Sequence, residues 1–132
     1  MQVIRFKTIK LDVEDCIAII TLNRPEQMNA FTLLMCQELI QAFEITDSDD
    51  SMRAVIFTGE GTSAFCAGAD LSAGADTFNY GGETVGGPVR LDGSIDWAHV
   101  DVRDAAGRVT LRVFRSLKPV ICRSTVRPSV RA

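Results

Sequence analysis

The chain has 132 residues, a formal net charge of −3, 46% hydrophobic and 23% charged residues, with 10 Gly, 4 Pro and 4 Cys. These proportions exclude collagen-like, disordered and disulfide-scaffold chains, and the length is that of one ordinary domain. No apolar run approaches the roughly 18 residues of a spanning helix, so no membrane partner is expected, and Lys7, Lys10, Asp12, Glu14 and Asp15 interrupt any signal-peptide core.

Residues 4–9 alternate apolar and polar positions (Ile4, Phe6, Lys7, Ile9) and predict a half-buried strand. Residues 16–22 form a short β-branched apolar run, which predicts a more buried strand. Pro25 breaks that run because it cannot donate to a ladder. From Thr32 the pattern takes helical period, with Met35, Leu39, Ala42 and Phe43 on one stripe and Gln37, Glu38, Gln41 and Glu44 mostly outside it. Thr32 or Asn29 can cap this helix, and the acidic residues 47–50 end it. Residues 53–59 read as another buried strand; strand, helix, strand in this order implies a crossover, hence parallel pairing and the α/β class.

Residues 72–100 are rich in Gly, Ser, Asp and Asn and read as a long loop of the kind that serves as a lid. A helix follows from about Asp101 on Val102, Ala106, Val109, Val113 and Leu117, with Arg103, Arg108, Arg112 and Arg115 on its other sides. Lys118-Pro119 stops it and Val120-Ile121 begins another strand. Residues 122–132 continue neither period and place an arginine at every fourth position, so that strand is not expected to go on.

Charge is uneven along the chain: residues 1–102 sum to −10 and residues 103–132 to +7. Such an arm suits a nucleic acid or a membrane surface, against the alternative of a solvated helix face. Cys16, Cys36, Cys66 and Cys122 are 20, 30 and 56 residues apart and far from the sole histidine, so no metal is expected. Cys16 and Cys36 lie in apolar patterns, and reduced thiols in the cytoplasm are the expectation; His99, in a polar stretch, is expected at the surface.

No Gly-Lys-Ser/Thr follows any glycine, so a phosphate loop lacks support. More telling is the passage from residue 57 to 71, which leaves a buried strand through small residues. Ala67-Gly68-Ala69 keeps side chains away, so backbone N–H groups can approach a ligand, and Asp70 can cap a following short helix. Free N–H groups at such a turn make a concavity suited to an oxyanion.

Thr21-Leu22-Asn23-Arg24-Pro25-Glu26-Gln27-Met28-Asn29-Ala30, then Arg53-Ala54-Val55-Ile56-Phe57-Thr58-Gly59, then Ser63-Ala64-Phe65-Cys66-Ala67-Gly68-Ala69-Asp70-Leu71, and finally Ser116-Leu117-Lys118-Pro119-Val120-Ile121 occur in order. Over roughly residues 3–121 this resembles the enoyl-CoA hydratase/isomerase (crotonase) family. The resemblance implies an α/β crotonase-type ββα spiral fold, with residues 1–121 its N-terminal half, an incomplete domain, and 122–132 an out-of-family basic tail. It implies acyl-CoA thioester substrates, with coenzyme A part of the substrate and no separate cofactor. Two backbone N–H groups would stabilise a thioester enolate, the first being that of Ala67. Met28 and Ala30 would line the coenzyme A path, Ala67, Gly68, Ala69 and Asp70 the thioester, and Leu71 the acyl pocket. Trimer-based assembly is usual for such a family, and its elements are expected to be missing here.

The family's second donor lies in an Asn-Gly-x-Ala-x-Gly-x-Gly motif directly after Lys-Pro-Val-Ile, where this chain departs. Hydratase carboxylates lie further on, and Glu60 and Asp70 do not match them. In a shifted frame, residues 124–132 permit Asn-Gly-Pro-Ala-Val-Gly-Ala-Gly, which is that motif in register. The coding frame is therefore expected to shift near residues 121–124, leaving an inactive fragment that unfolds with little cooperativity. The basic tail then needs no nucleic-acid partner. Two alternatives stand beside this reading: a non-catalytic binding module with a basic arm for nucleic acid, and a pseudogene product without function.

Overall fold

The computed structural model describes residues 4–77 and 87–124. Strands β1 (Ile9–Glu14) and β2 (Ile17–Leu22) form an antiparallel hairpin, with Ile9 opposite Leu22 and Glu14 opposite Ile17. Asp15 and Cys16 close it with φ of 49° and 65°, the left-handed pair that suits the twist of a two-residue hairpin. Cys16 is thus an exposed turn residue, and the expectation that it begins the strand as a small hydrophobe is corrected. The first strand is also displaced from residues 4–9 to Ile9–Glu14. Alternation continues through Leu11 and Val13, and pairing with β2 through the tight turn selects the later register.

Helix α1 (Leu33–Ser48) starts at Thr32, whose Oγ1 accepts the Met35 N–H at 3.1 Å; Thr32, and not Asn29, is the cap. Its apolar face buries Met35, Cys36, Leu39, Ala42 and Phe43 against Ile9, Ala18, Ile20, Leu22 and Val55 of the sheet. Glu38, expected off this stripe, is buried as well. Its carboxylate accepts the N–H groups of Lys7 (2.7 Å) and Thr8 (2.8 Å) and the Thr8 hydroxyl. A buried carboxylate is tolerated when donors replace its hydration, and this one pins the segment before β1 to the helix.

Strand β3 (Ala54–Gly59) pairs parallel with β2, as the crossover requires. Helix α2 (Ala105–Phe114) begins four residues later than its apolar spacing suggested, because Asp104 caps it by accepting the Gly107 N–H at 3.1 Å. Val102 lies in a preceding single turn, Val100–Val102. Ala105 and Val109 reach the core, Val113 is half-buried, and Ala106 and Leu117 are exposed. Strand β4 (Val120–Arg123) adds parallel to β3, giving the order β1-β2-β3-β4. It runs two residues past the expected stop, so the boundary placed between residues 121 and 122 falls inside a strand. Ladder pairing asks little of side chains, and the Thr58 hydroxyl adds a bond to the Arg123 carbonyl at 2.9 Å. The tail from residue 125 onward lies outside the described residues.

A polar knot fixes the helices to each other. Asp47, near the end of α1, accepts from Arg112 (2.5 Å), Ser116 Oγ (3.1 Å) and the Leu117 N–H (3.0 Å). The Lys118 ammonium donates to the Thr46 and Asp49 carbonyls, supplying positive charge where the helix dipole is negative. Helix α2 ends at Phe114, four residues before the Lys118-Pro119 signal expected to stop it, and Lys118 instead serves the end of α1.

Candidate active site

Two loops meet beyond the carboxyl ends of the parallel strands β2 and β3, the edge at which open α/β sheets bind ligands. Gly59 makes the meeting possible: a Cβ there would stand 2.6 Å from the Phe65 carbonyl and 3.0 Å from Asn29 Nδ2. Phe65 anchors the returning loop edge-on against Phe57, at 5.4 Å between ring centroids.

Asn29 ties the loops together. It is fully buried and left-handed (φ 54°), a conformation asparagine tolerates better than most residues. Its Oδ1 accepts the Arg24 N–H at 2.8 Å, and its Nδ2 donates to the carbonyls of Glu60 (2.9 Å) and Ala64 (3.0 Å). Sequence reasoning offered Asn29 only as a helix cap. The available signal was an asparagine four residues after a chain-breaking proline, with no helix yet begun.

The backbone beside this knot decides where donors are free. Ala67 N–H donates to the Met28 carbonyl at 3.0 Å, so the group expected to face an oxyanion is already engaged. Phe31 N–H donates to Gly68 O (2.7 Å) and Asp70 N–H to Phe31 O (2.9 Å), forming a parallel bridge with Ala69 opposite Phe31. In such a bridge the central residue's own N–H faces away from its partner. The N–H groups of Gly68 and Ala69 meet no acceptor among the described residues. Gly68 has φ of +99°, and a Cβ there would meet open space. The open donors are thus one and two residues beyond Ala67, a shift set by a long-range bridge that spacing alone does not reveal.

Asp70 does not cap a helix; the following turn, Gly74–Asp76, has no side-chain cap. Its Oδ1 accepts the Ser72 N–H at 2.9 Å and its Oδ2 the Arg24 guanidinium at 2.9 Å, while Arg24 also donates to the Ala30 carbonyl at 2.6 Å. The Ser72 hydroxyl and N–H, then Arg24, hold the Asp70 carboxyl down to about 2. The Met28 and Leu71 side chains are exposed, and Ala30 is half-buried. Glu60 is occupied by Lys10 at 2.6 Å. His99 is more enclosed than expected: its Nδ1 accepts the Asp101 N–H at 3.1 Å and caps the Val100–Val102 turn. Among the described residues, no group of three His, Cys, Asp or Glu side chains could hold a metal, and no helix is long and apolar enough to cross a membrane.

Comparison with known proteins gives the family and the fold. The family model for enoyl-CoA hydratase/isomerase matches residues 12–85. Enoyl-CoA hydratase AKT3-2 of Alternaria alternata is 36% identical over 107 residues, 81% of this chain and 30% of that protein. The Arabidopsis thaliana protein named probable enoyl-CoA hydratase 1, peroxisomal, is 50% identical over 62 residues, 47% of this chain and 23% of its own length. An enoyl-CoA hydratase/carnithine racemase structure from Magnetospirillum magneticum superposes with a TM-score of 0.62 at 32% identity, covering 89% of this chain and 39% of that one. The chain therefore spans less than a third of these curated relatives and carries part of the crotonase fold. With its family-model match, its ordered strand-and-loop geometry and these relatives, the chain belongs to the enoyl-CoA hydratase/isomerase family.

Proposed function

We propose that this chain carries one arm of the oxyanion hole of an acyl-CoA enzyme, with the Ala69 N–H, flanked by that of Gly68, as donor to the thioester carbonyl. One observation carries the reading: Ala67 N–H is engaged by Met28, whereas the Ala69 N–H faces outward at the carboxyl edge of the sheet. As an α-carbanion forms, charge moves onto the thioester oxygen, and a fixed N–H dipole there stabilises the enolate by about 3 kcal/mol. Arg24 offsets the Asp70 charge, which would otherwise repel that oxyanion. The exposed Met28 and half-buried Ala30 fit the coenzyme A path, and the exposed Leu71 fits the acyl wall.

General acid–base work is a separate matter. Asp70, held at about 2, is a poor proton carrier near neutrality, and Glu60 is paired with Lys10. The proposal is therefore binding and carbonyl polarisation without hydration by this chain alone. Its compartment in this reading is the cytoplasm, where Cys36 remains a thiol donating to the Ala105 carbonyl at 3.2 Å. The same reading takes the coding frame to shift near residues 121–124, and DNA codons incompatible with Asn-Gly-Pro-Ala across residues 124–128 would contradict that part.

Crotonyl-CoA labelled at the carbonyl carbon tests the proposal. Binding should lower its C=O stretching frequency, and Ala69→Pro, which removes an N–H that meets no acceptor among the described residues, should abolish the shift and weaken binding about tenfold. No binding, or an unchanged carbonyl band in Ala69→Pro, would overturn it. Loss of the conjugated-thioester absorbance on incubation would instead show hydration and overturn the inactivity.

A further inference from the structure

A cleft of about 430 Å³ opens between α1, α2 and the segment before α2, far along the chain from the carbonyl loops. Ile40 and Leu111 supply apolar surface, while Trp97, His99, Arg103, Arg108, Arg112 and Arg115 line the rest. Two of the arginines are committed to the fold: Arg108 pairs with Asp101 at 3.3 Å, and Arg112 with Asp47 at 2.5 Å. Arg103 and Arg115 are exposed, and no hydrogen bond or ion pair reaches either guanidinium among the described residues. The cleft thus holds two unspent positive charges, within a chain whose first 102 residues sum to −10. Clefts with low-dielectric walls and one sign of charge concentrate ions of the opposite sign.

His99 lines the cleft beside them, its Nδ1 accepting the Asp101 N–H. Trp97 is 75% exposed, an unusual placement for a large apolar ring, and offers a face for a planar group. The volume lies within the range of small-molecule sites. Guanidinium forks match phosphate oxygens in pairs, and an indole face matches a base.

We propose that this cleft binds a nucleoside diphosphate, its phosphates on Arg103 and Arg115 and its base against Trp97. Side chains from two elements hold the phosphates, so no glycine-rich loop is required. None of the carbonyl-loop residues lines this cleft.

Trp97 is the only tryptophan of the chain, so its fluorescence reports this cleft directly. ADP added to the full chain should quench it saturably. Arg103→Ala and Arg115→Ala should each weaken the quench by at least about tenfold, Arg→Lys at the same positions should restore part of it, and Arg53→Ala, just before β3 and outside the cleft lining, should change nothing. The Arg103 and Arg115 guanidiniums have no partner among the described residues, so the variants retain the circular-dichroism spectrum of the parent. Competition by coenzyme A would identify the nucleotide end of the thioester as the natural source, and its absence a free nucleotide; either supports the site. No quench at millimolar ADP, or an equal quench when both arginines are alanine, would overturn it. An oligonucleotide that binds more tightly than ADP through the same two arginines would overturn it in favour of nucleic acid.

Discussion

Replacing Asn29 by alanine isolates the knot that holds the carbonyl loops. The substitution strands the Arg24 N–H and removes one donor each from the Glu60 and Ala64 carbonyls. An unmet buried donor or acceptor costs about 1–3 kcal/mol, and the two carbonyls, partly reached by water, fall at the low end. Three such losses come to about 3 kcal/mol. Alanine at φ 54° adds about 1 kcal/mol that asparagine largely avoids. The total of about 4 kcal/mol corresponds to roughly a thousandfold in local opening. Amide hydrogen exchange at Ala67, Phe31 and Asp70 is the assay, because those N–H groups close the loops without touching the Asn29 side chain. Their protection should fall by about that factor or vanish, while β2 is affected less. Asn29→Gly, which relieves the backbone cost, should be protected about fivefold better than Asn29→Ala. Protection within threefold of the parent in Asn29→Ala, or glycine no better than alanine, would refute the reasoning.

Gly59→Ala should disrupt the β3 end by about 1–3 kcal/mol of overpacking, since the added methyl meets the Phe65 carbonyl at 2.6 Å; Gly68→Ala meets open space and should show only backbone strain, and exchange along β3 separates the two. NMR titration of the Asp70 carboxyl should show an upward move for Ser72→Ala and again for Arg24→Ala, because the Ser72 hydroxyl and then the Arg24 guanidinium hold it near 2. With its folded value depressed, Asp70 contributes its full loop stability above the ordinary aspartate range and loses it as pH falls toward 2, which acid-side exchange at Ser72 reports. Burial acts to raise the Asp47 carboxyl, but hydrogen bonds from Arg112, the Leu117 N–H and Ser116 outweigh it, so its value also lies below the ordinary range. Asp47→Asn should therefore weaken α1–α2 docking above pH 4 and spare the Ala67 and Phe31 amides, by exchange at Val109. Leu91, Phe114 and Leu117 are fully or largely exposed, so thermal unfolding should be broad and dye binding strong; a sharp transition with a large enthalpy would contradict this.

Periodicity located β2, α1 and β3 to within a residue or so because each buries a continuous apolar set. It failed where pairing or a cap decides. β1 follows its hairpin partner and not the first alternating residues, and α2 waits for Asp104 although Val102 fits the stripe. Glu38 looked like surface because its charge is visible in sequence, whereas the Lys7 and Thr8 amides that bury it lie 31 and 30 residues away. The same limit applies at the site. The small-residue run singled out the turn at residues 67–69, yet whether Ala67 or Ala69 presents a free N–H depends on Met28 and Phe31, which no local pattern reports.

These cases share one physical rule. A polar group on this chain is structural when its bonding capacity is consumed inside the fold, and it can act on something else when that capacity is left over. Glu38, Asp47, Asp70, Lys118 and Arg112 each terminate on backbone or on an opposite charge, so their conspicuous charges serve as struts. Asn29 spends its whole amide on three backbone groups. By the same test the Ala67 N–H is engaged within the fold, and among the described residues Ala69, Arg103 and Arg115 retain unspent donors. Internal satisfaction thus sorts the candidate residues more sharply than motif position does, because a donor already bonded must break that bond before it can stabilise a ligand, and the exchange returns little net free energy.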